Sequence, residues 1–168
     1  QGTAHTRRKT LTPPWAKSPL PSRAATKVKA DAGLAERIRC AEGEKFLKIE
    51  GLRMPVDNPS GLPVCWTEIF VLSEFAGIKD QIGRGSVLIA NLIEDRYDKR
   101  AIEIHQDITA VSFPGDIAQK LGVRSGSPGL LVRRWYMGSD DRAFEITVSL
   151  HPGESFSYSM RMRRDAET

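Results

Sequence analysis

Four residues of this chain have the types and the settings to bind a polar ligand: Arg53, Glu68, Ser86 and Glu145. Glu145 stands between Phe144 and Ile146 in a stretch that is otherwise apolar or small. A carboxylate there is costly to bury unless paired, so it is either an outward-facing residue or a site residue. Arg53 and Glu68 lie on the two arms of a hairpin whose turn, Pro55 to Pro63, is rich in Pro, Asn, Ser and Gly. They can therefore face each other, as a site pair or as a surface ion pair of little energetic weight. Ser86 follows Gly83-Arg84-Gly85 and opens a helical pattern. Its hydroxyl suits an N-cap, and the approach either does no more than cap or exposes backbone N–H groups to an anion.

Chemistry of other kinds lacks its residues. The histidines, His5, His105 and His151, are scattered, and none stands near a Ser or Cys in a nucleophile motif. Cys40 and Cys65 are far apart and belong to no ligand cluster, which fits buried structural thiols better than a disulfide framework or a zinc site. No glycine-rich nucleotide loop and no helix-turn-helix is present. A hydrolase or metalloenzyme is not expected, nor is a cofactor.

The elements that must hold these residues come in two copies. Leu34, Ala35, Ile38, Gly43, Leu47 and Ile49 recur in order and spacing as Ile117, Ala118, Leu121, Gly126, Leu130 and Val132, at a constant offset of 83 (117 minus 34, 132 minus 49). Each copy then turns into a strand with one glutamate, Glu68 and Glu145, at an offset of 77 (145 minus 68), which makes the first turn six residues longer. A duplicated helix, strand, turn and strand predicts two halves paired about a pseudo-twofold axis, each burying the face the other cannot. Both glutamates then approach one cleft between the halves, with Arg53 balancing one of them.

The individual elements follow from local pattern. A short strand is expected over 23–29, a helix capped by Asp31 through Ile38, and strands over 46–54 and 64–71. A glycine-punctuated loop should occupy 77–85, followed by the helix from Ser86 with Ile89, Leu92 and Ile93 inward. Strand 102–111 alternates, with Ile102, Ile104, Ile108 and Ala110 on one face. The second copy adds a helix through Leu121, a hairpin over 130–137 and 143–150, and a third strand ending at Met160.

Composition separates a body from a tail. The 168 residues are 40% hydrophobic, enough for one domain. Residues 1–30 carry seven Lys or Arg and no acid, which leaves 18 basic and 21 acidic residues, net −3, for the remainder. The formal charge of +4 thus belongs to a segment with Pro13, Pro14, Pro19 and Pro21 and no apolar periodicity, a linker signature over 1–22 in which Trp15 is the exception. A nucleic-acid function for the folded part does not follow from it. No apolar run approaches the ~20 residues of a membrane span, and the first residues are polar, so no signal peptide and no membrane partner are expected and the chain reads as cytoplasmic. A start at Gln1 suggests a processed or excised chain.

Taken together, Leu121-Gly122, Gly126, Arg133-Arg134, Tyr136, Glu145 and Pro152-Gly153, after a hairpin with an Arg and a Glu and a Ser-opened helix, resemble the UTRA domain, the ligand-sensing half of GntR-type transcription regulators of the HutC subfamily. The resemblance covers about 23–164. It implies a chorismate-lyase-like α+β fold, an antiparallel sheet with surrounding helices built from two similar halves, with an effector pocket between them. It further implies a homodimer that binds a small metabolite and, through that, controls DNA binding by a winged-helix domain of which Gln1-Gly2-Thr3 looks like the last trace. By position, Arg53, Glu68, Ser86 and Glu145 match effector-binding residues, and His151 falls where some members place an aromatic lining residue. Sugar-phosphate sensors carry a second arginine where this chain has Gly51 and a tyrosine where it has Leu88; their absence points to a less charged effector, such as a carboxylate or an amine-bearing metabolite. The alternative is a small-molecule lyase of the same fold.

Overall fold

The computed structural model describes residues 25–58, 60–83 and 88–159. Six antiparallel strands form one sheet in the order β1-β2-β3-β6-β5-β4: β1 (Ala25–Lys29), β2 (Lys45–Arg53), β3 (Cys65–Leu72), β4 (Glu103–Ser112), β5 (Pro128–Met137) and β6 (Ala143–Pro152). Helices α1 (Ala32–Ile38) and α3 (Gly115–Leu121) pack on one face. There Trp135 donates its Nε1–H to the Ile38 carbonyl at 2.7 Å, and Ala118 and Leu121 pack with Phe113 and Leu150. A 3-10 helix (Ser73–Gln81) and α2 (Ile89–Tyr97) cover part of the other face. The fold is the expected α+β antiparallel sheet with surrounding helices.

The duplication is visible in the backbone, and its axis lies between β3 and β6. α1 and α3 are offset by 83 (115 minus 32), and their C-caps, Arg39 and Gly122, are both left-handed. Gly43 and Gly126, at φ 86° and 79°, repeat the same left-handed turn into β2 and β5, a conformation glycine adopts at no steric cost. The returning strands follow a different offset. Ile49 pairs with Ile69 and its counterpart Val132 pairs with Ser149, so β3 and β6 are offset by 80 (149 minus 69) rather than 77. The first turn is therefore three residues longer, not six (83 minus 80).

That difference is odd, and side chains along a strand alternate between faces, so it decides which residues meet. The counterpart of Glu145 is Cys65 (145 minus 80), and the counterpart of Glu68 is Val148, its own partner across the central strand pair. Glu68 and Glu145 consequently project from opposite faces.

Other expectations need correction. The stretch 77–85 is not a loop throughout, since the 3-10 helix runs to Gln81 and buries Ile78 completely. α2 begins at Ile89 with Leu88 as N-cap and no side-chain cap bond; Ser86 lies outside the described residues. Ile102, just before β4, and Ile108 within it are 54% and 37% exposed, because β4 is the sheet's outer strand. The chain leaves the sheet after Pro152 through a turn, with no third strand over 156–159; Met160 lies outside the described residues, as do the basic segment 1–22, Trp15 and the Gln1-Gly2-Thr3 match.

Candidate functional site

Register places a polar stripe at the centre of the α2-covered face. Glu145, Thr147, Ser149 and His151 alternate along β6 and are all at most 8% exposed. β3 adds Thr67, whose Oγ1 lies 2.8 Å from Ser149 Oγ. Arg53 enters from β2 and Arg134 and Tyr136 from β5, at 6%, 3% and 5% exposure. Leu88 and Ile89 at the start of α2 close over Arg53, Glu145, Thr147 and Arg134, leaving a cavity of about 10 Å³, the room of about one water. On the far side the segment after β6 crosses the same face. Phe156 stacks on His151 with centroids 3.8 Å apart, and Gln106 donates to Tyr158 Oη at 2.9 Å while accepting from Arg134 Nε at 2.6 Å.

Electrostatics follow from the burial. Desolvation pushes the Glu145 carboxyl up to about 8, with Arg53 pulling the other way, so it carries its proton at neutral pH. Among the described residues its Oε2 has no hydrogen-bond partner. His151 is driven down to about 3 by burial and then by the positive charges of Arg134 and Arg53, and is neutral. Burial also lowers Arg53, and raises Tyr136 and Cys65 to about 12 each. Two guanidiniums, one protonated carboxyl and a row of hydroxyls thus line one buried chamber.

The structure brings together Arg53, Glu145 and His151 and leaves Glu68 out. Arg53 pairs across the hairpin with Cys65, and Glu68 with Glu50. On the opposite face Glu68 takes a two-pronged bond from Arg37 and an ion pair from Lys48 at 3.0 Å. Those partners hold its carboxyl below the usual range although burial, the largest influence, acts upward. Arg134, Thr67, Thr147 and Ser149 were not among the expected site residues, although the polar stripe at every second position after Glu145 is a signal for them. A larger hollow of about 670 Å³ lies at the edge of the other face, but its charges are matched locally, Arg39 to Asp107 at 2.6 Å and Arg142 to Glu44 at 3.0 Å. It has no comparable demand for a ligand. Among the described residues no group of three or more His, Cys, Asp or Glu could hold a metal ion.

The UTRA domain family model matches residues 23–157, the body of the sheet and both faces of the chamber. The chain belongs to the UTRA domain family. Solved structures agree in fold. The effector domain of PhnF from Mycobacterium smegmatis is 19% identical with a TM-score of 0.70, covering 84% of this chain and 85% of that one. The C-terminal domain of YurK from Bacillus subtilis is 13% identical with a TM-score of 0.70, covering 83% and 94%. A GntR-family transcriptional regulator from Enterococcus faecalis is 17% identical with a TM-score of 0.67, covering 83% and 97%. No curated protein matches in sequence. In this UTRA domain no described helix is long and apolar enough to cross a membrane.

Proposed function

We propose that this UTRA domain is the ligand-sensing part of a GntR-type transcription regulator of the HutC subfamily, and that a small metabolite bound in the chamber controls DNA binding by a separate winged-helix domain. The observation that carries this is the chamber itself. Burying Arg53, Glu145 and a row of hydroxyls contributes little to stability that well-packed apolar residues would not, so their burial is better explained by a ligand than by the fold. A closed cavity also supplies two states. A metabolite that enters must displace Leu88 and Ile89, or the segment carrying Phe156 and Tyr158, and binding energy spent there favours the open arrangement. Arg53, Glu145 and His151 are the proposed contacts from the described residues, and Ser86, two residues before Leu88 in sequence, joins them on the resemblance alone. The regulator acts as a homodimer in the cytoplasm and needs no cofactor.

A thermal-shift screen of metabolites tests this, because only a ligand of the native state raises the melting temperature by mass action. A hit is expected whose shift disappears in Arg53→Ala. Hits that keep their full shift in both Arg53→Ala and Glu145→Gln would place the pocket elsewhere.

A further inference from the structure

Two covers close the chamber, and they are held to the sheet in different ways. Leu88 and Ile89 lead into α2, whose Ile89, Leu92 and Ile93 are all at most 8% exposed within the main core. Phe75 fastens that layer further, edge to face with Tyr97 at 5.3 Å and with Phe144 of β6 at 6.2 Å. Moving α2 off the sheet therefore uncovers core surface. The second cover is the strap 153–159, in which Glu154, Ser155, Ser157, Tyr158 and Ser159 are exposed and Phe156 is half-buried outside both core clusters. Among the described residues Ser157, Tyr158 and Ser159 make no backbone hydrogen bond to the sheet. Two side chains of the strap reach it instead: the Phe156 ring lies on His151 at 3.8 Å, and the Tyr158 hydroxyl accepts from Gln106 Nε2 at 2.9 Å. Gly153 is the fixed end. Its N–H donates to the Pro128 carbonyl at 2.9 Å, and a Cβ on it would meet that same oxygen at 2.9 Å, so the strap leaves the sheet from one close backbone contact.

Building on the effector reading, we propose that the strap, and not α2, is the gate of the chamber: it swings about Gly153 to admit a small ligand, and Gln106 latches it shut through Tyr158. Gln106 is the positioning residue because it joins the gate to the chamber wall. Its Oε1 accepts from Arg134 Nε at 2.6 Å while its amide holds Tyr158, and Arg134 lines the cavity. A ligand that draws Arg134 away from Gln106 loosens the latch, which links occupancy of the chamber to the position of the strap. The ring contact and the hydrogen bond each bias the strap towards the closed position by about fivefold to tenfold.

The chain carries its own reporter of this motion. Cys65 is fully buried on the chamber face opposite Arg53, and one step beyond the pair of Trp66 and Leu150 it falls beside His151, the residue under Phe156. Cys40 is half-buried at the edge of the other face and serves as the control thiol. Iodoacetamide alkylation of the 168-residue chain at one pH, read thiol by thiol by peptide mass spectrometry, decides the matter. Tyr158→Phe removes only the hydroxyl of an exposed side chain and should speed labelling of Cys65 about fivefold; Phe156→Ala should speed it about tenfold, with Cys40 labelled at the same rate throughout. Leu88→Ala, which trims the other cover, should leave Cys65 as in the parent chain. Gln106→Leu should match Tyr158→Phe, and combining the two should add nothing, since both break one contact. Labelling should also be insensitive to urea below the unfolding transition, because a local opening exposes little surface. Parent rates for Cys65 in both strap variants, a rise in Leu88→Ala that equals or exceeds theirs, a urea dependence as steep as global unfolding, or independent effects of Gln106→Leu and Tyr158→Phe would overturn the proposal. The labelling needs no effector, so its failure leaves the effector reading in place, and a metabolite screen without hits leaves the labelling result standing.

Discussion

Glu145 and His151 should write opposite slopes into the pH dependence of stability, and the window between them isolates Glu145. Burial raises its carboxyl from an ordinary 4.5 to about 8, so between those values the folded state holds a proton that the unfolded chain has released. Stability is then full below 4.5 and is lost as pH rises towards 8, at about 1.4 kcal/mol per pH unit. His151 does the reverse: with a folded value of about 3 against 6.5, its contribution is present above 6.5 and lost as pH falls. Between 4.5 and 6.5 the two slopes cancel. Between 6.5 and 8 the Glu145 slope is left without its His151 counterpart, and the expected loss there is roughly 2 kcal/mol. Glu145→Gln, which copies the neutral carboxyl in size and hydrogen-bonding atoms, should flatten that decline. Urea unfolding at half-unit pH steps, analysed with a common m-value, measures it directly. An unchanged decline from 6.5 to 8 in the variant would show that the carboxyl is already ionised in the folded chain, through water entry or a cation beside it, and that burial does not hold its proton.

Three further outcomes follow from named contacts. Arg53→Ala should weaken binding of an effector found in the screen by roughly 1.5 to 3 kcal/mol by calorimetry, the scale of a hydrogen bond to a charged group. Glu68→Gln should leave that affinity unchanged and alter stability by no more than about 1 kcal/mol, because its partners Arg37 and Lys48 stand on the opposite face and are partly solvated; a loss of effector affinity would put Glu68 back in the site. Trp135→Phe removes the 2.7 Å bond that ties β5 to the last carbonyl of α1 and should cost about 1 to 3 kcal/mol in urea unfolding, since it leaves that acceptor buried and unmet.

What was legible in the sequence divides along the range of the forces involved. Asp31 accepts from the Leu34 N–H at 2.8 Å as its capping position requires, and the apolar spacing of Ala35 and Ile38 is a property of seven consecutive residues. The offset of 83 holds from α1 into β2 and again from α3 into β5, because both helices have seven residues and the same left-handed glycine turn follows each. Where packing decides, the signal weakens. Ile102 and Ile108 alternate as a buried face would, yet the outer position of β4 in the sheet, which no local pattern encodes, leaves them exposed. The 3-10 helix from Ser73 reads as a loop because Gly77 interrupts it, and only burial of Ile78 against the sheet explains why it is ordered there.

The site failed at one point for a similar reason. The first hairpin's turn is longer than the second's, and matching glutamate to glutamate absorbs an odd number of residues into it, which turns a whole strand over. Chemical likeness was the wrong guide there, and backbone pairing was the right one: Arg53 opposite Cys65 corresponds to Tyr136 opposite Glu145. Once the strands are aligned that way the halves prove symmetric in backbone and asymmetric in charge, with arginine facing tyrosine, glycine facing arginine and cysteine facing glutamate across the axis. A duplicated fold supplies two equivalent sets of inward positions at its centre. Because the two sets are filled differently, the chamber has distinguishable ends, and a ligand bound in it has one orientation instead of two. That polarity is what a sensor needs if one half is to move relative to the other, and it is carried by residues whose identity depends on the pairing of the halves, not on the local pattern of either.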